Sequence, residues 1–295
     1  MRRVAFLTMH DPRGFVIDDE LAVLPLARRG IHVETIPWDR AGVDWRQYAL
    51  VVIRSTWDYQ HKAREFLEVL ESIERLGVRL ENGSETVRWN MQKTYLRDLA
   101  GRGIEIVPTF WREGLRRGEL VPLFEELRSD EGVIKPVMSS NAQGAWRLHA
   151  RNVRELAPEV EAYFAGRALM LQPFERGVTE EGEFSMVYLN GQHSHSLLKT
   201  PRSGDFRVQE EHGSRIVAIT PESTLLAAGN ATIAAVGQKL LYARVDLVRS
   251  GDTFRVMELE LVEPSMYLRI DADAPDRFAD AIASRIGLLL DTPNR

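Results

Sequence analysis

The chain contains no cysteine. That removes disulfides, thiolate metal centres and cysteine nucleophiles, and it fits a reducing compartment. A long apolar run is missing too: none approaches the ~20 residues needed to span a bilayer. The opening Met1-Arg-Arg-Val-Ala-Phe-Leu-Thr-Met-His10 meets His10 and Asp11 too early for a signal sequence and reads better as a first buried strand. Nor is there an excess of positive charge. With 38 Lys and Arg against 43 Asp and Glu, the formal net charge is -5, so nothing general favours nucleic acid or an anionic membrane. Internal repeats and low-complexity tracts are also lacking. The expectation is a cytoplasmic monomer or homodimer that acts on a small molecule.

What is present is a chain of 295 residues, 44% of them hydrophobic, enough for two or three subdomains with cores of their own. Apolar runs at Val4–Met9, Ile31–Pro37, Leu50–Ile53 and Val78–Leu80 alternate with helical patterns at Asp18–Arg29 and Lys62–Leu76, which Gly30 and Gly77 close. Such alternation implies βαβ units and a parallel sheet, so residues 1–90 read as a small doubly wound α/β domain. Ligands bind at the carboxyl edge of such sheets. That edge carries His10, Asp11, Arg13, Asp18 and Asp19, and then Arg54-Ser-Thr-Trp-Asp-Tyr59. Asp18 reads as a helix cap, Trp57 as packing and Arg54 as a substrate contact.

Further along, a helix is expected over Ser84–Ala100, with strands at Ile104–Val107, Gly132–Pro136, Ala145–His149 and Ala168–Phe174. Helices are expected at Leu120–Leu127 and Val153–Phe164. These place a small subdomain at 91–170, and the mainly antiparallel remainder, 171–295, forms the last. Asn190-Gly191 there marks a hairpin joining Glu183–Leu189 to His193–Lys199. His193 and His195 would share a strand face, but with no third ligand at suitable spacing they suit a surface or substrate-contact role.

The chemistry concentrates near the C-terminus. Tyr242-Ala-Arg-Val-Asp-Leu-Val, a turn at Ser250-Gly251-Asp252, and Val256-Met-Glu-Leu-Glu-Leu-Val-Glu-Pro264 read as a hairpin. Alternation puts Arg244, Asp246, Glu258 and Glu260 on one face. Three carboxylates in one small volume repel unless a cation lies between them, which suggests magnesium; a solvated acidic edge is the competing reading. Lys135 ends an apolar strand before the small-residue loop Met138-Ser-Ser-Asn-Ala-Gln-Gly144, so it either snorkels or holds an anion. Gln172-Pro-Phe174 with Glu183 is either a plain turn or a nucleoside site. Lys199-Thr-Pro-Arg-Ser-Gly-Asp-Phe-Arg207 gathers basic residues beside the acidic trio, as a polyanion with its metal would require.

In this order, over roughly residues 85 to 268, the motifs resemble the ATP-grasp ligases. Gly204-Asp-Phe-Arg207 is similar to a segment of the ribosomal-protein glutamate ligases and, more loosely, of the glutathione synthetases. Arg244-Val-Asp246 with Glu258-Leu-Glu260 resembles the Arg-x-Asp and Glu-x-Asn pair of the D-alanine:D-alanine ligases. Asp18-Asp-Glu20, Trp38, Arg54-Ser-Thr-Trp-Asp-Tyr59, Trp89-Asn90 and Lys93 most resemble the O-ureido-D-serine cyclo-ligases, which close D-cycloserine. The resemblance implies an ATP-grasp fold and a ligase that activates a carboxylate as an acyl phosphate for attack by nitrogen, within one substrate or between two.

It also implies roles. Lys93 and Lys135 would contact ATP phosphates, Ser139, Ser140, Asn141 and Gly144 would belong to the lid loop, and Gln172 and Phe174 would offer backbone groups to adenine. Glu183 would hold the ribose, and Asp246, Glu258 and Glu260 would ligate two Mg2+ ions. Arg207 and Arg244 would steady the transferring phosphoryl group. The acid, an amino-acid-like molecule, would lie between Arg54 and the cluster Lys199, Arg202, Arg207. Two departures stand out: Glu260 replaces the asparagine of many relatives, and the phosphate loop has only Gly144. A non-catalytic ATP-binding module, or a phosphotransferase or carboxylase on the same nucleotide site, is the alternative.

Overall fold

The computed structural model describes residues 1–139 and 143–287, which form three sheets in succession along the chain. The first comprises β1 (Arg2–Thr8), β2 (Ile31–Pro37), β3 (Leu50–Ser55) and β4 (Leu80–Glu81) in the order β2-β1-β3-β4, with every neighbouring pair parallel. Helix α1 (Val23–Arg28) lies between β1 and β2, and α2 (Ala63–Arg75) between β3 and β4. Side chains alternate along β1, so Val4 and Phe6 join one core with Leu26 of α1, whereas Ala5 and Leu7 join another with Phe66 and Leu70 of α2. The sheet is thus buried on both faces, as its near-continuous apolar strands require.

Where one helix was expected over residues 84 to 100, two are found: α3 (Ser84–Asn90) and α4 (Tyr95–Gly101). At the break the Lys93 backbone N–H donates to the Val137 carbonyl (2.7 Å) instead of the preceding turn. Residues 104–107 likewise are no strand. They touch the sheet through a bridge of Ile106 to Val256, with Val107 N–H donating to the Val256 carbonyl at 3.1 Å.

The second sheet holds β5 (Phe110–Arg112), β6 (Glu131–Pro136), β7 (Trp146–His149) and β8 (Leu169–Pro173), antiparallel in the order β5-β8-β6-β7. Helices α5 (Leu120–Glu126) and α6 (Val153–Tyr163) bury Leu120, Phe124 and Val160 against Ile134, Leu169 and Leu171. Lys135, next to Ile134, is therefore turned to the sheet's other face.

The third runs through a short helix α7 (Gly177–Glu180), β9 (Glu183–Leu189), β10 (Gln192–Thr200), β11 (Arg215–Ile219), α8 (Ser223–Val236), β12 (Tyr242–Ser250), β13 (Thr253–Glu260) and α9 (Ala274–Arg285). Its strands are antiparallel in the order β11-β10-β9-β12-β13. Asn190 and Gly191 both take positive φ, 50° and 79°, which matches a two-residue turn to strand twist. Among the described residues no helix is long and apolar enough to cross a membrane.

Candidate active site

A single cleft collects side chains from the second and third sheets, from the break between α3 and α4, and from loops at the carboxyl edge of the first. The β12–β13 register sets Asp246 opposite Glu258 and Arg244 opposite Glu260, all on the cleft-facing side. Asp246 is only 2% exposed, so this is no solvated edge. Antiparallel pairing of β12 with β9 adds Ser185, whose hydroxyl donates to Asp246.

Each carboxylate is held by a cation. Arg244 forks onto Asp246, Nε to Oδ1 at 3.0 Å and Nη2 to Oδ2 at 2.9 Å, and also reaches Glu260. Lys199 Nζ bridges Glu183 (3.0 Å) and Asp246 (3.5 Å). The helix break aims Lys93 at Glu258, 2.9 Å away, and Lys93 also donates to the Ser139 carbonyl at 2.9 Å. Lys135 lines the same cleft but makes no hydrogen bond or ion pair among the described residues.

Burial opposes charge on every one of these groups, and their neighbours decide the outcome. For Asp246 burial is outweighed by Arg244 and Lys199, which hold it well below the usual carboxylate range. Glu258 is lowered in the same way by Lys93 and Lys135. Glu260 is pushed up to about 7, because burial, with Glu258 and Asp246 nearby, exceeds the pull of Arg244. Glu263 rises further, to about 8, through burial and then Glu260. Burial lowers Lys135, whereas Lys93 stays above its ordinary value because Glu258 more than compensates.

Of the residues picked from the sequence, Lys93, Lys135, Ser139, Gln172, Phe174, Glu183, Lys199, Arg207, Arg244, Asp246, Glu258 and Glu260 line this cleft. Ser140 and Asn141 lie outside the described residues. Arg202 is exposed and not in the cleft lining, so Lys199, Arg202 and Arg207 form no cluster. The reason is local: Lys199 is committed inside β10, and Arg207 folds back onto Asp205 at 2.7 Å. Gly144 also stays out of the lining; its φ of +68° and the Tyr163 ring against it account for the absence of a side chain. The Phe174 backbone N–H is spent on the Glu131 carbonyl (3.0 Å) and cannot serve adenine; its ring faces the cleft beneath the Arg147 guanidinium, 3.7 Å from the centroid.

Three further assignments change. Asp18 makes no capping hydrogen bond and instead pairs with Arg269 at 2.8 Å. Arg54 is absent from the cleft lining: it is 3% exposed, pairs with Asp19 (2.8 Å) and donates to the Pro264 carbonyl (3.1 Å). His195 is buried, its Nε2 donating to the Met266 carbonyl at 2.8 Å. Glu263 and Tyr267 belong to the cleft and were not singled out; the only hint was their position just after Glu258-Leu-Glu260.

A parallel N-terminal sheet, two antiparallel sheets enclosing a cleft of lysines and carboxylates, and the motif order define an ATP-grasp ligase. Solved structures agree. The crystal structure of D-cycloserine synthetase DcsG superposes with a TM-score of 0.83 at 29% identity, covering 96% of this chain and 99% of that one. The D-alanine–D-alanine ligase of Bacillus anthracis complexed with ATP gives 0.69 at 15% identity, with 97% of each chain covered. Residues 4–82 match the family model described as D-cycloserine synthetase DcsG, N-terminal domain. The cycloserine biosynthesis protein DcsG of Streptomyces lavendulae is 31% identical over 269 residues, 87% of this chain and 90% of that protein. The chain belongs to the D-cycloserine synthetase DcsG family, and so is an ATP-dependent enzyme that forms C–N bonds.

Proposed function

We propose that the enzyme closes D-cycloserine from O-ureido-D-serine, activating the carboxylate with ATP in the presence of magnesium. The observation that carries this is the cleft's charge pattern: Lys93, Lys135, Lys199 and Arg244 face Glu183, Asp246, Glu258 and Glu260. The same lining adds Arg207 on one side and Glu175, Glu210, Glu211 and Glu263 on the other, and such an excess of carboxylates suits a polyphosphate that brings divalent cations with it. The relative named for cycloserine biosynthesis supports the product, and the resemblance to the O-ureido-D-serine cyclo-ligases supports the substrate.

Among the described residues no three acidic or histidine side chains form a ready-made metal cage. Mg2+ does not need one. It keeps several waters and binds through one or two carboxylates plus phosphate oxygens, and Asp246, Glu258 and Glu260 offer hard oxygen donors on one face. When bound, the metal would neutralise charge on the phosphoryl oxygens. This chain's own residues do the rest. Lys135 and Lys93 orient the phosphates, and Arg244 neutralises charge on the activated carboxyl group. Glu183 with Gln172 borders the nucleoside. Phosphoryl transfer asks for positioning and charge neutralisation rather than a protein nucleophile, and a closed cleft protects the acyl phosphate from water. The nitrogen of the substrate's own N–O group then attacks the acyl phosphate, phosphate leaves as the ring C–N bond forms, and water cleaves the carbamoyl group from that nitrogen, releasing it as carbamate and leaving D-cycloserine.

The test is purified enzyme with O-ureido-D-serine, ATP and Mg2+, following ADP release and product mass. ADP release that depends on the acid, with D-cycloserine formed, is expected. Equal ADP release without the acid, or a product joining two substrate molecules, refutes the proposal.

A further inference from the structure

Beyond β13 the chain runs through residues 262–267 without a partner strand, a condition that normally leaves backbone groups unpaired. Here five consecutive carbonyls are each taken by a side chain from elsewhere. Val262 accepts from the Tyr242 hydroxyl (2.8 Å), Glu263 from Trp57 Nε1 (2.8 Å), Pro264 from Arg54 Nη2 (3.1 Å), Ser265 from Arg244 Nη1 (3.1 Å) and Met266 from His195 Nε2 (2.8 Å). The strap ends at Tyr267, which holds φ 48° and ψ 43°, a left-handed conformation that an aromatic residue adopts only when its surroundings impose it. Glu263, Ser265 and Tyr267 line the cleft, and the Tyr267 ring centroid lies 5.5 Å from Lys199 Nζ and 5.8 Å from the Arg244 guanidinium.

Two of the five holders, Arg54 on β3 and Trp57 in the cleft-lining loop that follows it, come from the parallel-sheet unit. Arg54 is fixed by Asp19 at 2.8 Å and by the rings of Tyr242 and Phe278, 5.2 and 5.6 Å from its guanidinium, and Trp57 stacks on Phe15 at 5.1 Å.

We infer that Arg54 and Trp57 are positioning residues that set the Glu263–Tyr267 strap in place, so that the parallel-sheet unit shapes the acid-binding end of the cleft through the backbone. The inference rests on the reading above that the acid occupies this cleft. Arg54 acts without lining it, and Lys93, Lys135 and Glu183, which build the nucleotide end, make no hydrogen bond to the strap among the described residues.

The experiment uses the full chain with Trp57→Phe, which keeps a ring and deletes one N–H, and with Arg54→Lys and Arg54→Met. Expected are a roughly fivefold to tenfold rise in KM for O-ureido-D-serine on loss of one hydrogen bond, an ATP Kd without acid changed less than about twofold, and a smaller defect for Arg54→Lys than for Arg54→Met. Amide exchange should accelerate at residues 265–268 and not across the β12–β13 hairpin. A lowered Tm with unchanged KM and unchanged strap exchange, or equal losses of ATP and acid binding, overturns the inference. If the wild-type enzyme does not turn over O-ureido-D-serine, the functional reading fails by itself. Strap exchange in Trp57→Phe then decides the inference: acceleration upholds it, and no change overturns it.

Discussion

Asp246 lies directly opposite Glu258 across the β12–β13 hairpin, with Arg244 and Glu260 the next cross-strand pair on the same face. Like charges so placed repel, and the hairpin tolerates them because Arg244, Lys199 and Lys93 each sit against one or two of the carboxylates. The cations that hold these carboxylates in the free protein are therefore the groups that, on the proposed reading, would share those oxygens with a metal.

Arg244→Met tests this directly. It leaves buried Asp246 and half-buried Glu260 without their guanidinium, and removing one partner of a buried pair costs about 3–5 kcal/mol. Calorimetry should find a lower Tm for the free variant, turnover lowered at least about a hundredfold by loss of charge neutralisation at the reacting group, and ATP binding largely retained. Mg2+ with ATP should raise the variant's Tm more than the wild type's, since metal charge substitutes for the missing guanidinium. An equal or smaller rise would mean that these carboxylates do not hold metal.

Lys135 is the converse case, a half-buried cation whose pKa burial lowers and which pairs with no carboxylate among the described residues. Its charge is a cost to the free protein at neutral pH. Lys135→Met should leave the Tm of the free enzyme unchanged or raise it, while weakening ATP binding tenfold or more. Titration calorimetry and thermal melts on one preparation check both halves; a fall in Tm with ATP affinity intact would assign Lys135 to the fold.

How much of this was legible in the sequence depends on the range of each signal. The hairpin face was readable because alternation is local and the Gly251 and Asn190-Gly191 turns have their own residue signatures. The doubly wound pattern was readable for the same reason. Arg54, Trp57 and Asn90 stood out as residues, but their work did not. Arg54 meets the Pro264 carbonyl and Trp57 that of Glu263, while the Asn90 amide spans the backbone of Leu259 and Leu261. Those partners lie far along the chain, where no periodicity points. The helix break at Lys93 was hidden because Met91-Gln-Lys-Thr94 contains neither glycine nor proline; a tertiary hydrogen bond to Val137 overrides the local helical preference.

Helix α8 lies so close to the third sheet that a Cβ on Gly229 would come within 2.5 Å of Met186 Sδ and also meet the Tyr188 hydroxyl. The usual gain in helix propensity from Gly→Ala is then reversed by overpacking. Gly229→Ala should destabilise the protein by about 1–3 kcal/mol, read as a lower denaturant midpoint with an unchanged m-value. A gain in stability would place α8 farther from the sheet.

Glu263 ties the cleft to pH. Its carboxyl is pushed from 4.5 up to about 8, first by burial and then by Glu260, so between those values the folded protein holds a proton that the unfolded chain has released. Stability from this group is fully present below pH 4.5 and is lost as pH rises through about 8, at up to about 1.4 kcal/mol per pH unit inside the window. Glu260, pushed up to about 7, slopes the same way over a narrower range. The free enzyme, without metal or nucleotide, should therefore show a Tm that falls between pH 6 and 8.5. Glu263→Gln, which remains neutral throughout, should flatten that fall and exceed the wild type in stability at pH 8.5. Parallel profiles for the two proteins would show that Glu263 is ionised in the folded state and that its burial is relieved by a partner.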